Sequence, residues 1–253
     1  ENTIVALERC GQDLARACGA FYNIAGAATN EALQAIKAEM APRLAAHNDA
    51  ITLDARLFAR VKALHDARGS LALDAVDARL LERCYTRFVR AGALLDAEGK
   101  ERMTRLNEEE AGLVARFEEN ILKERADMAI VVDAEAQLVG MSTDAIEAAA
   151  VSAKEKGHPG KWLIDLRNTT TQPVLAELKD RALRERIMRA SLARNGRGNA
   201  WDNSALIARL AQLRAEKARL LGFATWAHFV MDDQMARSPA NAMALMGRMA
   251  PAA

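Results

Sequence analysis

The side chains that could do hydrolytic or metal chemistry are few and scattered. Four histidines occur, His47, His65, His158 and His228. No two stand four apart, the spacing that puts both imidazoles of an HExxH motif on one helix face. Nothing local assembles the three or four N, O or S ligands that a zinc ion needs. The nearest cluster is His228 with Asp232 and Asp233. His228 and Asp232 share a helix face. They read either as a carboxylate-oriented histidine or, more simply, as a hydrogen-bonded pair that orders a helix end. Glu108–Glu110 and Glu118–Glu119 could divide acid and base roles if their surroundings differed. On a long amphipathic helix rich in Arg and Lys they read as a solvated face. Cys10, Cys18 and Cys84 make neither a disulfide framework nor a CxxC metal site. Cys10 and Cys84 fall on helical patterns and are expected to be buried thiols. The GxSxG, GxGxxG and phosphate-loop motifs are absent. Arg181, Arg184, Arg186 and Arg189 form a basic helix face without interleaved aromatics, which argues against nucleic-acid binding.

The most unusual local sequence is Asn168-Thr-Thr-Thr-Gln-Pro173, polar, proline-closed and placed after an expected strand. It reads as a loop whose Asn168, Thr169, Thr170 and Gln172 are candidate binding groups, or as a structured turn held by its own side chains.

The elements that must position these residues are mostly helices. Residues 4–28 are expected to form one helix. Leu33, Ile36, Met40 and Leu44 define the next, with a kink at Pro42. Leu53, Leu57, Val61 and Leu64 give a third helix, ended by Gly69. Val76, Leu80, Cys84, Phe88 and Leu95 give a fourth, and Met103, Leu106, Leu113, Phe117 and Ile121 a long fifth. Met128–Val132 and Lys161–Leu166 read as short strands. Between them a helix is capped by Ser142 or Thr143 and stopped at Gly157. Helices over 177–195 and 203–221 follow, the second ended by Gly222. A shorter one spans Trp226–Met235, and another starts at Pro239.

Composition agrees with this reading. The chain has 253 residues, 51% apolar and only 4% aromatic, with abundant Ala and Leu that favour helix. Lys and Arg number 35 against 34 Asp and Glu, so there is no electrostatic reason to expect nucleic acid or an anionic membrane as partner. No apolar run approaches a membrane span. The expected class is mainly α, with one or two short strands. It divides into an N-terminal helical bundle over 1–126 and a helical region with short strands over 127–253.

Several stretches together carry a resemblance. Asn2-Thr-Ile-Val-Ala-Leu-Glu8, Glu39-Met-Ala-Pro-Arg-Leu-Ala-Ala-His-Asn-Asp-Ala50, Leu57-Phe-Ala-Arg-Val-Lys62, Arg116-Phe-Glu-Glu-Asn-Ile-Leu122, Gly160-Lys-Trp-Leu-Ile164, Asn168–Pro173, Ala182-Leu-Arg-Glu-Arg186 and Asp232-Asp-Gln-Met-Ala236 resemble, in the same order, the N-terminal portion of bacterial peptidyl-dipeptidases (dipeptidyl carboxypeptidases). These belong to the thimet oligopeptidase family of zinc metallopeptidases. The resemblance implies a helical, clam-like enzyme with two lobes around a deep channel. Its one zinc is held by HExxH and a downstream glutamate, and short peptides are its substrates. None of those metal or catalytic positions has a counterpart here, so no catalytic or metal residue is assigned and no zinc is expected on this chain. Asn168, Thr169, Thr170 and Gln172 stand as substrate-channel candidates.

The resemblance further implies a missing C-terminal catalytic lobe as partner, a chain inactive alone, and self-association through the uncovered surface. The abrupt start at Glu1 suggests a trimmed N-terminus. The sparse cysteines favour the cytoplasm, the alternative being the periplasm if a leader was removed. A helical interaction or regulatory module without peptidase chemistry is the alternative reading.

Overall fold

The computed structural model describes residues 2–252, without the side chains of 126, 168–172 and 252. The chain is mainly α-helical, with a single two-stranded sheet among the described residues. It separates into two compact units, residues 1–115 with 208–253, and residues 116–207. The first unit is thus discontinuous in sequence, whereas the hydrophobic pattern suggests one boundary near residue 126. No helix among the described residues is long and apolar enough to cross a membrane.

The first unit opens with α1 (Ile4–Arg9) and α2 (Gln12–Ala27). The single helix expected over 4–28 is therefore two. The break falls at Gly11, which adopts a left-handed φ of 72° before α2, a conformation that costs glycine little. Cys10 lies at this break and is exposed, so its expected burial is corrected. Cys84 is buried as expected. Helix α3 (Glu31–Thr52) runs through Pro42. It is followed by α4 (Ala55–Asp66) and α5 (Ala75–Ala91). Asn30, Asp54 and Asp74 each accept a hydrogen bond from a first-turn N–H, which fixes the starts of α3, α4 and α5.

Apolar positions three and four apart on α4 and α5 bring Phe58, Val61, Leu81, Cys84 and Phe88 into one core with Ile4. Val61 and Phe88 are wholly buried; burying each stabilises by about 1.5–3 kcal/mol. Helix α6 (Ala97–Asp127) belongs to this unit up to residue 115, and α10 (Ser204–Leu220) from residue 208. After α10, Gly222 at φ 83° lets Phe223 N–H reach Ala218 C=O at 2.8 Å and its own N–H reach Arg219 C=O at 3.0 Å. This satisfies carbonyls that would otherwise be left orphaned at the helix end. Helices α11 (Trp226–Asp232) and α12 (Pro239–Met249) complete the unit.

The second unit is built on β1 (Ile130–Val132) and β2 (Trp162–Ile164), paired antiparallel with Ile130 opposite Ile164 and Val132 opposite Trp162. Helix α7 (Thr143–Glu155), capped by Ser142, packs on β2. Helices α8 (Asn168–Glu177) and α9 (Arg181–Leu192) follow. Val132, Leu138, Leu166, Leu183 and Ile187, all at most 2% exposed, form the core.

Gly140 locks the α7–α8 side of this unit. Its φ is 110°, and a β-carbon there would lie 2.1 Å from the carbonyl oxygen of Glu177. Next to it, Lys179 N–H donates to Val139 C=O at 2.9 Å. Gly140→Ala is therefore expected to destabilise the second unit by roughly 1–3 kcal/mol or more. A lower midpoint in urea unfolding would read this out, with Gly157→Ala, which meets no atom within 4 Å, as the milder control.

Candidate functional site

The loop expected at Asn168–Pro173 is the first part of helix α8. Pro173 lies in its second turn, where the missing N–H removes only one ladder bond, so proline there does not stop the helix. The side chains of Asn168, Thr169, Thr170 and Gln172 lie outside the described residues. The part of α8 that is described, Pro173, Val174 and Glu177, forms one wall of a cavity of about 280 Å³. Ala145, Ala148, Ala149 and Ser152 of α7 form the opposite wall, and Leu163 and Ile164 of β2 the floor. Alanines leave the space open because each side chain is a single methyl.

Asp165 and Arg167 stand at the rim. Burial pushes the Asp165 carboxyl up. The hydrogen bonds from Lys156 Nζ at 3.1 Å and Arg167 Nη2 at 2.7 Å outweigh burial and hold it below the usual carboxylate range. An apolar floor under a charged rim suits a ligand with an apolar body and polar groups at its edge. Among the described residues no imidazole lines the cavity beside Ser152.

The histidines do not converge. His47 and His158 are exposed on separate elements. His65 stacks on Tyr85, with ring centroids 3.8 Å apart and 7° between planes. His228 does not pair with Asp232. Its Nδ1 lies 2.8 Å from the hydroxyl of Thr225, the residue that caps α11, so both readings of the His228–Asp232 pair are replaced by this local cap. Asp232 and Asp233 instead accept hydrogen bonds from Arg90 at 3.3 Å and Arg83 at 2.6 Å on α5.

The α6 glutamates are not simply solvated. Arg209 donates to both oxygens of Glu109, at 2.6 and 2.7 Å. Arg214 and Lys217 donate to Glu110, at 2.8 and 2.7 Å. Burial raises the Glu110 carboxyl, but the hydrogen bonds from Lys217 and Arg214 prevail and lower it. On α9, Arg186 donates to Val131 C=O at 2.8 Å and Arg189 to Glu185 at 2.8 Å. Part of that basic face is thus structural. Among the described residues, no group of three or more His, Cys, Asp and Glu side chains could hold a metal ion. The described residues do not fit a zinc ion.

Sequence reading missed the groups that organise the second unit. Glu124 is 1% exposed. It accepts from the backbone N–H of Asn195, from Arg197 Nε at 2.7 Å and from Asn199 Nδ2 at 3.3 Å. Asn203, fully buried, accepts from Asn120 at 2.8 Å and donates to Phe117 C=O at 3.2 Å. The Asn195-Gly-Arg-Gly-Asn199 run reads as loop punctuation; its arginine and two asparagines were the available signal for a buried anion.

With this geometry in place, comparison with known proteins identifies the class. Residues 174–253 match the sequence profile of Peptidase family M3, and the whole chain is similar to dipeptidyl carboxypeptidases. It is 42% identical over 252 residues to the dipeptidyl carboxypeptidase of Escherichia coli (strain K12), and 40% identical to that of Salmonella typhimurium. Each alignment covers 100% of this chain and 37% of the relative. The chain therefore spans a little over a third of their length. A more distant relative, the organellar oligopeptidase A of Arabidopsis thaliana, is 32% identical over 69% of this chain and 23% of its own.

Two outcomes test these assignments. Glu124→Ala is expected to cost about 1–3 kcal/mol, because it leaves the Asn195 N–H and the Asn199 amide without their acceptor while Arg197 keeps Asp127. Unfolding in urea reads this, with exposed Glu39→Ala as a near-neutral control. A depressed folded-state pKa contributes stability above the ordinary Glu value of 4.5 that is lost as pH falls through the folded value. Wild type should accordingly lose more stability than Glu110→Gln on acidification below that range, measured by thermal unfolding across a pH series.

Proposed function

We propose that this chain is the N-terminal, non-catalytic lobe of a zinc-dependent peptidyl-dipeptidase that releases C-terminal dipeptides from short peptides. The observation that carries the reading is the 40–42% identity to two dipeptidyl carboxypeptidases along the whole chain. On this reading, zinc and its ligands come from polypeptide corresponding to the part of those relatives that this chain does not span. The present residues serve as scaffold and channel wall. Asn168, Thr169, Thr170 and Gln172 are proposed to contact substrate from the start of α8, beside the α7–β2–α8 cavity.

The surface of α12 supports a missing partner lobe. Its sequence, Pro-Ala-Asn-Ala-Met-Ala-Leu-Met-Gly-Arg-Met, carries one charge, and none of its residues is buried. Met243, Leu245, Met246 and Met249 are each at least half exposed. A helix this apolar on every side is normally covered, and methionine adapts to irregular partners.

The test is a peptidase assay on the purified 253-residue chain with added zinc and an N-blocked tetrapeptide. No dipeptide release is expected from the chain alone, and release is expected once it is joined to the remaining length of a dipeptidyl carboxypeptidase. Zinc-dependent release by the chain alone would overturn the proposal. Self-association by light scattering is also expected, and Met246→Lys should reduce it.

A further inference from the structure

Away from that cavity, α5 presents Arg83, Arg87 and Arg90 at positions i, i+4 and i+7, on one face. All three line a cleft of about 430 Å³ within the first unit, floored by Leu80, Cys84 and Ala91. We infer that this cleft is a binding site for a small oxyanion, a phosphate or a di- or tricarboxylate, gripped by the arginines of α5.

Three like charges within two helix turns repel one another, so a purely structural face has no use for them unless anions lie opposite. Two carboxylates do line the cleft, and each takes a single guanidinium nitrogen. Arg83 Nη1 donates to Asp233 Oδ1 at 2.6 Å, and Arg87 Nη2 to Glu8 Oε1 at 3.0 Å. Arg90 points its two terminal nitrogens at Asp232 and at Phe229 C=O, 3.3 and 2.9 Å away. Its guanidinium stacks 4.2 Å over the Phe229 ring, which fixes its orientation. A guanidinium carries five N–H donors in a planar fork suited to two oxygens at once. Arg83 and Arg87 each use one edge of that fork on their carboxylates.

Each of the three guanidiniums thus has one carboxylate partner, Arg90 pairing with Asp232, and Asp233 and Glu8 in the cleft demonstrate that carboxylate oxygens fit its donors. A ligand with several acceptor oxygens can bridge arginines that the monodentate internal acids engage singly. The same two acids limit affinity by repulsion, so binding should be modest and weaken with salt.

The test is calorimetric titration of the full chain at low ionic strength with inorganic phosphate and, separately, with malonate. Saturable binding by either is expected, the one that binds distinguishing phosphate from carboxylate. Arg87→Gln, which removes the ion pair with Glu8, should weaken it at least about tenfold, the loss expected of one charge-assisted hydrogen bond. Arg189→Gln on α9 should leave it unchanged. Ala91→Met fills the cleft without altering charge and should also weaken binding. Absence of saturable binding by both anions, or binding that Arg87→Gln and Ala91→Met leave intact, would overturn the site. Neither result bears on whether the chain is part of a peptidase.

Discussion

A carboxylate buried to 1% exposure cannot stand alone, because removing an ion from water costs several kcal/mol unless donors surround it. Glu124 imposes this constraint on the second unit. To satisfy it, the segment between α9 and α10 must fold back over α6. Asn195 takes a left-handed φ of 53°, and Arg197 swings in to donate to both Glu124 and Asp127. Asn203 N–H bonds to Asn195 C=O at 2.7 Å, and the Asn203 carbonyl accepts from Ile207 N–H in the first turn of α10 at 2.8 Å. The course of the segment from Asn195 to Asn203 thus follows from how one acid on α6 is neutralised.

Arginine does comparable positioning in the first unit. Arg83 and Arg90 hold α11 against α5, while Arg209, Arg214 and Lys217 join α10 to Glu109 and Glu110. The more exposed of these pairs, such as Arg83–Asp233 and Arg209–Glu109, contribute little individually. Their value lies in register, because a fork on two oxygens selects one relative placement of two helices where apolar contact tolerates several. This explains a near-equal number of cations and anions in a chain with so few aromatics.

Local signals in the sequence located the elements. Ser142 and Gly157 bracket α7, the β-branched run before Asp133 is β1, and Gly222 closes α10, since caps, β-branching and left-handed glycines act within a few residues of themselves. Gly11 was legible in principle, but uninterrupted apolar spacing masked it. The start of α8 was misread because proline near a helix start and polar Asn and Thr also favour turns. The organising contacts were not legible. Glu124 meets Arg197 73 residues away, and Glu109 meets Arg209 100 residues away; no periodicity encodes which acid finds which base. The zinc peptidase resemblance was carried by many short stretches in order, which is why it survived although the His228–Asp232 contact did not form.

The discontinuity of the first unit sets a timetable for the nascent chain. A ribosome delivers residues 116–207 whole before it delivers Arg209, Arg214 and Lys217, so the inserted unit can close while Glu109 and Glu110 still await their cations. Folding of the first unit is therefore a two-visit process whose late contacts span more than a hundred positions, the kind of long loop closure that slows folding. During that interval the apolar surface that α10 later covers is open to premature association.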